Sequence, residues 1–149
     1  MGIKLKTPRS VIERAVRDKA EALKRAIVTA LSMIGEECIN VARDKARANA
    51  YITRTGNLAS SIGYMIVQDG EVVTERGFEQ TNQGAEGVKT GKKAIAEVAK
   101  QFPTHSVLIV VAGMNYAIYV ERKGYDVLTQ AKLHAKTEAI NLMKDSGLL

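Results

Sequence analysis

Apolar residues recur through the first third of the chain at Ile12, Val16, Ala20, Leu23, Ile27, Leu31, Ile34, Cys38 and Val41, in steps of three or four. That is the period of an α-helix with one buried stripe. Arg14, Arg17, Asp18, Glu21, Lys24 and Arg25 fill the other faces. Ser10 and Glu13 stand at the spacing of a capping box, with Pro8 just upstream. The pattern predicts a helix over residues 10–48. At 1.5 Å per residue it would reach roughly 57 Å, against a radius of gyration of roughly 15 Å for a domain of this size. A straight helix therefore overhangs its own domain. Either it breaks, with Gly35 the obvious place, or its far end packs on another chain.

The period then changes to two. Ile62, Tyr64 and Ile66 alternate with Gly63, Met65 and Val67, and Asp69-Gly70 is a strong hairpin signal. Residues 62–78 are thus expected to form a β-hairpin. Residues 79–91 lack periodicity and contain Gly84, Gly87 and Gly91, which predicts a flexible loop. Its polar and charged members Gln80, Asn82, Gln83, Glu86 and Lys89 are a candidate interface. Deleting residues 80–90 is expected to leave the domain folded, because loop length costs little stability. A short helix is expected over 92–101, ended by Pro103. The continuous run Ser106-Val107-Leu108-Ile109-Val110-Val111-Ala112-Gly113 predicts a central strand buried on both faces. Ala117–Glu121 is expected to be a further strand or a helical turn, so strands are assigned over 106–121. Asp126 can cap a last helix over 126–144. The predicted class is α+β, one domain over 1–149: a long N-terminal helix, a small mostly antiparallel sheet of a hairpin plus one or two further strands, a short middle helix and a C-terminal helix.

Composition narrows the function classes. The 149 residues suit one domain, 46% apolar and only 5% aromatic. No apolar run is long enough for a membrane span, and the first residues lack a secretory signal, so synthesis in the cytoplasm is expected. The lone Cys38 lies on the apolar stripe and is expected to be a buried hydrophobe. Net charge is +6, and residues 1–54 hold 12 Lys and Arg against 6 Asp and Glu, while 55–149 hold 10 of each. A basic first third suits nucleic acid, an acidic partner or plain solubility. Its acidic residues are interleaved and no aromatic platform accompanies it, which favours a solvated face over a nucleic-acid site.

Catalytic motifs fail on inspection. His105 and His134 are the only histidines, far apart in sequence and without metal-ligand spacing. Gly87-Val88-Lys89-Thr90-Gly91-Lys92 looks like a phosphate loop, but Glu86 stands where its first Gly belongs and Lys93 where Ser or Thr must follow the lysine. No catalytic, cofactor-binding or metal residues are assigned, and no cofactor is expected.

Two stretches stand out. The first is Arg54-Thr55-Gly56-Asn57-Leu58-Ala59-Ser60-Ser61-Ile62, after the basic helix and before the hairpin. The second is Asn115-Tyr116-Ala117-Ile118-Tyr119-Val120-Glu121, ahead of the last helix. Gly56 and Asn57 need only end a helix and open a turn, and Tyr116 and Tyr119 need only pack on the sheet. Together and in order, however, the stretches resemble the head–tail joining, or tail-completion, family of long-tailed bacteriophages. Thr55, Gly56, Leu58, Ser61 and Ile62 match its first motif. Tyr116, Ala117, Tyr119, Val120, Glu121 and Gly124 match its second. The chain departs from the family at Ala59, where an Arg is common, and at Arg122–Tyr125, where Gly-Thr is common soon after the Glu. The resemblance implies a non-enzymatic virion protein at the head–tail interface, made in the host cytoplasm. Its partners would be further copies of itself in a ring, usually of six, and the connector and tail-tube proteins, with DNA passing nearby. The alternative is a small basic nucleic-acid-associated or regulatory protein.

Overall fold

The computed structural model describes residues 6–48 and 54–146. In chain order the elements are α1 (Arg9–Ala48), α2 (Asn57–Ser60), β1 (Ile62–Gln68), β2 (Glu71–Gly77), α3 (Ala85–Ala99), β3 (Ser106–Ala112), α4 (Ala117–Val120) and α5 (Thr129–Asp145). A wide helical turn, Glu121–Tyr125, joins α4 to the segment before α5. The class is mixed α+β, as the sequence predicts.

The first helix starts at Arg9, where the Pro8 carbonyl accepts from the amides of Val11 and Ile12. The expected capping box does not form, because Glu13 pairs instead with Arg9 at 2.9 Å. The helix also runs unbroken through Gly35. A Cβ there would lie 2.7 Å from the ring of Tyr64, so the missing side chain lets that ring lie flat on the helix. The expected close of the helical region at Thr53 lies outside the described residues.

The sheet has the order β2-β1-β3, antiparallel throughout. Asp69 and Gly70 both take positive φ, 52° and 85°, as a two-residue hairpin turn of matching twist demands. The strand at the centre is β1, and β3 lies at an edge. This corrects the expectation that the run 106–113 is central. The physical reason is that helices flank both faces of the sheet, so β3 is apolar on both sides without having a strand neighbour on both edges.

On one face, Ile62, Tyr64 and Ile66 pack with Ile34, Cys38 and Ile39 of α1 and Ala131 of α5. On the other, Met65 and Val67 pack with Phe78, Ile109 and Ile95 of α3. Helix α1 runs antiparallel to β1: the Tyr64 hydroxyl donates to Glu36, while Gln68 at the strand's far end donates to the carbonyl of Lys24. Cys38 is fully buried and its thiol donates to the Ala131 carbonyl.

Two further expectations are corrected. Helix α3 begins at Ala85, so residues 85–91 are helical and the connection from β2 is short. Of the two forms expected for residues 117–121, the helical turn is the one that forms, so the strand assigned over 106–121 ends at Ala112. No helix among the described residues is long and apolar enough to cross a membrane.

Candidate functional site: two motifs at one corner

The first motif is a tight corner between the end of α1 and β1. Gly56 precedes α2 with φ 74°, and a Cβ there would lie 1.9 Å from the Thr81 carbonyl oxygen. No L side chain fits that conformation and that space together. Leu58, Ser61 and Ile62 are fully buried. The Ser61 hydroxyl donates to the Leu58 carbonyl at 2.8 Å. The neighbouring Ser60 hydroxyl accepts from the Thr81 amide at 2.8 Å, which ties the post-hairpin segment to the corner. Thr55 is exposed.

Helix α3 rests on this corner through glycines. A Cβ at Gly84 would meet Ser60 Oγ at 2.0 Å, one at Gly87 the Asn57 carbonyl oxygen at 2.0 Å, and one at Gly91 the Ser61 carbonyl oxygen at 2.6 Å. The Gly87 amide donates to Asn57 Oδ1 at 3.3 Å. These are the glycines that made residues 79–91 look like loop. They stand three and four residues apart, a helical stripe of the smallest residue, and tertiary contact outweighs their poor helix propensity. That spacing was the signal available in the sequence.

The second motif folds against the first. Ala117 and Val120 pack on the cluster built around Leu58 and Val127. Tyr116 lies near enough to Thr55 for that side chain to act on its phenol. Burial, and then the charge of Glu86, raise the Tyr116 phenol above its ordinary pKa, with the Thr55 bond acting against them. Glu121 has a structural task. Its carboxylate accepts from the amides of Val127 (2.6 Å), Leu128 (2.9 Å) and Thr129 (3.2 Å), and from the Thr129 hydroxyl. These are the free amides at the start of α5. Burial alone would raise the Glu121 pKa, but the bonds from Thr129, Leu128 and Val127 outweigh it and hold the carboxyl below its usual value. Asp126, expected as the cap, contributes one bond, from the Gln130 amide.

Besides Thr55, the large side chains of the second stretch that remain in solvent are Tyr116, Ile118 and Tyr119, the last 63% exposed. Of the proposed loop interface, Gln80, Asn82 and Gln83 lie on the connection to α3, while Glu86 and Lys89 lie on α3 itself, and all five are exposed. Glu86 accepts from Asn57 at 3.5 Å and so borders the motif corner. Ile118 is the residue that the motif reading passed over. Its exposure follows from α4 being helical, which no alternation in the sequence announced.

Among the described residues no group of His, Cys, Asp and Glu is placed to hold a metal ion. His134 pairs with Glu37 at 2.6 Å, and His105 lies in the exposed turn before β3. Comparison with protein-family models, curated proteins and solved structures finds no significant match.

Proposed function

We propose that the protein is a non-catalytic structural component of a bacteriophage neck, acting in tail completion or head–tail joining as one copy in a ring. The observation that carries the reading is the convergence of the two motifs. Leu58 lies in one apolar cluster with Ala117 and Val120, although β1, β2, α3 and β3 all lie between them along the chain. Their polar members, Gly56, Ser61 and Glu121, build the corner itself. Tyr116, Ile118 and Tyr119 are held out at its surface. Exposed aromatic side chains on a rigid support suit a protein partner, since such residues dominate interface energies.

The test is genetic and structural. Removing the gene from a phage or prophage that carries it should leave filled heads and finished tails unjoined in electron micrographs. A Tyr119→Ser chain should fold normally and restore joining poorly. Normal virions in the absence of the chain would overturn the proposal. The competing reading, a nucleic-acid-associated protein, draws on the exposed helix segment 9–27, which carries Arg9, Arg14, Arg17, Lys19, Lys24 and Arg25 against Glu13, Asp18 and Glu21. It requires tight duplex binding by the isolated chain, with a steep salt slope.

A further inference from the structure

From Arg9 to Ile27 every residue of α1 is exposed, and Val28 is the first to touch the core. This arm leaves the domain beside the hairpin turn, where Lys24 bonds Asp69 at 2.7 Å. Its apolar stripe has no cover: Val16 is 63% and Leu23 56% exposed, and Ile12 and Ile27 are open as well. A stripe kept apolar in water over several turns is the mark of a contact face.

The same chain has an uncovered apolar groove of about 560 Å³ between β3, α4 and the start of α5. Leu108, Val110 and Ala112 form its floor, with Ile118 and Leu128 on its walls. The β3 run is apolar on both faces, as in a strand with helices on both sides. One side has α3, but the other is only partly closed by α1 and α5. The arm is part of a continuous helix anchored on its own domain, so it cannot fold back to fill the groove.

We propose that the arm of one copy lies in the β3–α4–α5 groove of the next, joining copies head to tail. A nineteen-residue arm is about 28 Å long and about 10 Å across. Laying one side of it into the groove and over the surface around its rim removes at most on the order of 1,000 Å² from water over both partners, the threshold for a specific contact. Charge selects against the symmetric alternative. Arg17 and Lys24, with the single acid Glu13, flank the Val16–Ala20–Leu23–Ile27 seam on one side and Lys19 on the other, so two arms paired seam to seam would set mostly cation against cation. The groove floor is uncharged and its rim carries one acid and one base, Glu121 and Lys132. A contact of arm with groove is heterologous, and such contacts close into rings when the rotation allows. The inference deepens the neck reading and takes its biological sense from it, while the contact itself is a property of the purified chain.

The test is sedimentation of the full chain over rising concentration, with Leu23→Asp in the arm and Ile118→Asp in the groove. Both positions are exposed, and thermal unfolding checks that both variants fold. Wild type should associate with concentration, and each variant alone should associate at least about tenfold more weakly. An equimolar mixture should recover association but stop at two chains, because one intact arm meets one intact groove. A flexible thiol crosslinker should join Val16→Cys chains to Ile118→Cys chains, with Cys38 buried and out of reach. A wild type that stays monomeric, a mixture that recovers nothing, or arms that crosslink mainly to arms would overturn the proposal. If the contact fails while joining of heads to tails still needs the chain, only the contact falls. If the contact holds and joining does not need the chain, only the neck reading falls.

Discussion

Gly87 shows how much a single hydrogen can decide. Alanine is the better helix former by about 1 kcal/mol, but a Cβ at position 87 would sit 2.0 Å from a backbone oxygen of the motif corner. Backbone cannot step aside as a flexible side chain can, and overpacking of this kind costs about 3 kcal/mol. Gly87→Ala should therefore lower the urea midpoint, with a net loss on the order of 2 kcal/mol. Gly124 is the control. Its φ is 86° but nothing lies within 4 Å of a Cβ there, so Gly124→Asn should cost under about 1 kcal/mol.

Glu121 offers a second test at the same scale. Glu121→Ala leaves the first amides of α5 without their acceptor and should cost about 1–2 kcal/mol. Glu121→Gln keeps an oxygen and should cost less. The pH dependence has a definite sign. The folded pKa lies below the ordinary carboxylate value, so the stabilisation is complete above the unfolded pKa of about 4.3. It is lost as pH falls through the folded value. The stability gap between wild type and Glu121→Gln should shrink on acidification, and urea midpoints at neutral and acid pH read it directly.

At the scale of elements, α1 is two structures in one helix. From Val28 onward it is core, and before that it is an arm held by its own backbone bonds. Short isolated helices are marginal in water, so amides in 9–23 should exchange with solvent far faster than those in 31–42 in the monomer. Deleting residues 6–20 should change the unfolding free energy by less than about 0.5 kcal/mol while removing helical ellipticity. Helix α3 behaves in the opposite way. Deleting residues 80–90 would remove the first turns of α3 together with the Gly84 and Gly87 contacts, so this deletion should unfold the domain. The tolerance expected of a loop does not carry over to a packed helix.

At the scale of the molecule, salt separates the two roles open to the basic first third. Association through apolar contact onto an uncharged floor should hold or strengthen as salt rises. Duplex binding by the same arm would fall steeply as counterions compete. Sedimentation of the chain in a salt series, with and without a short duplex, should show association that persists and little retained DNA. The reverse result would favour the nucleic-acid reading.

Much of this was legible without coordinates. The 3.6-residue period of α1 was legible because helix geometry puts every third or fourth residue on one stripe, whether that stripe is covered, as from Val28 onward, or open, as before it. The hairpin at Asp69-Gly70 was legible because its turn is a local steric matter. That α1 must either break or overhang followed from length, since a helix of that reach cannot fit inside a domain of this size, but only the tertiary structure, with Tyr64 packed on Gly35, shows it unbroken. The failed phosphate-loop motif was also a matter of spacing. Other features depend on which surfaces meet. Residues 85–91 look like loop until α2 lies against them, because glycine scores as a breaker wherever its smallness is not being used. β3 reads as central because periodicity reports the chemistry of two faces and says nothing of edges. Ala117–Glu121 alternates too briefly to choose between strand and turn, and Glu121 settled it by capping α5. The two short motifs were visible as strings, but only the tertiary structure brought Leu58 to Ala117 and Val120, because contacts between distant segments arise from global packing and leave no local period.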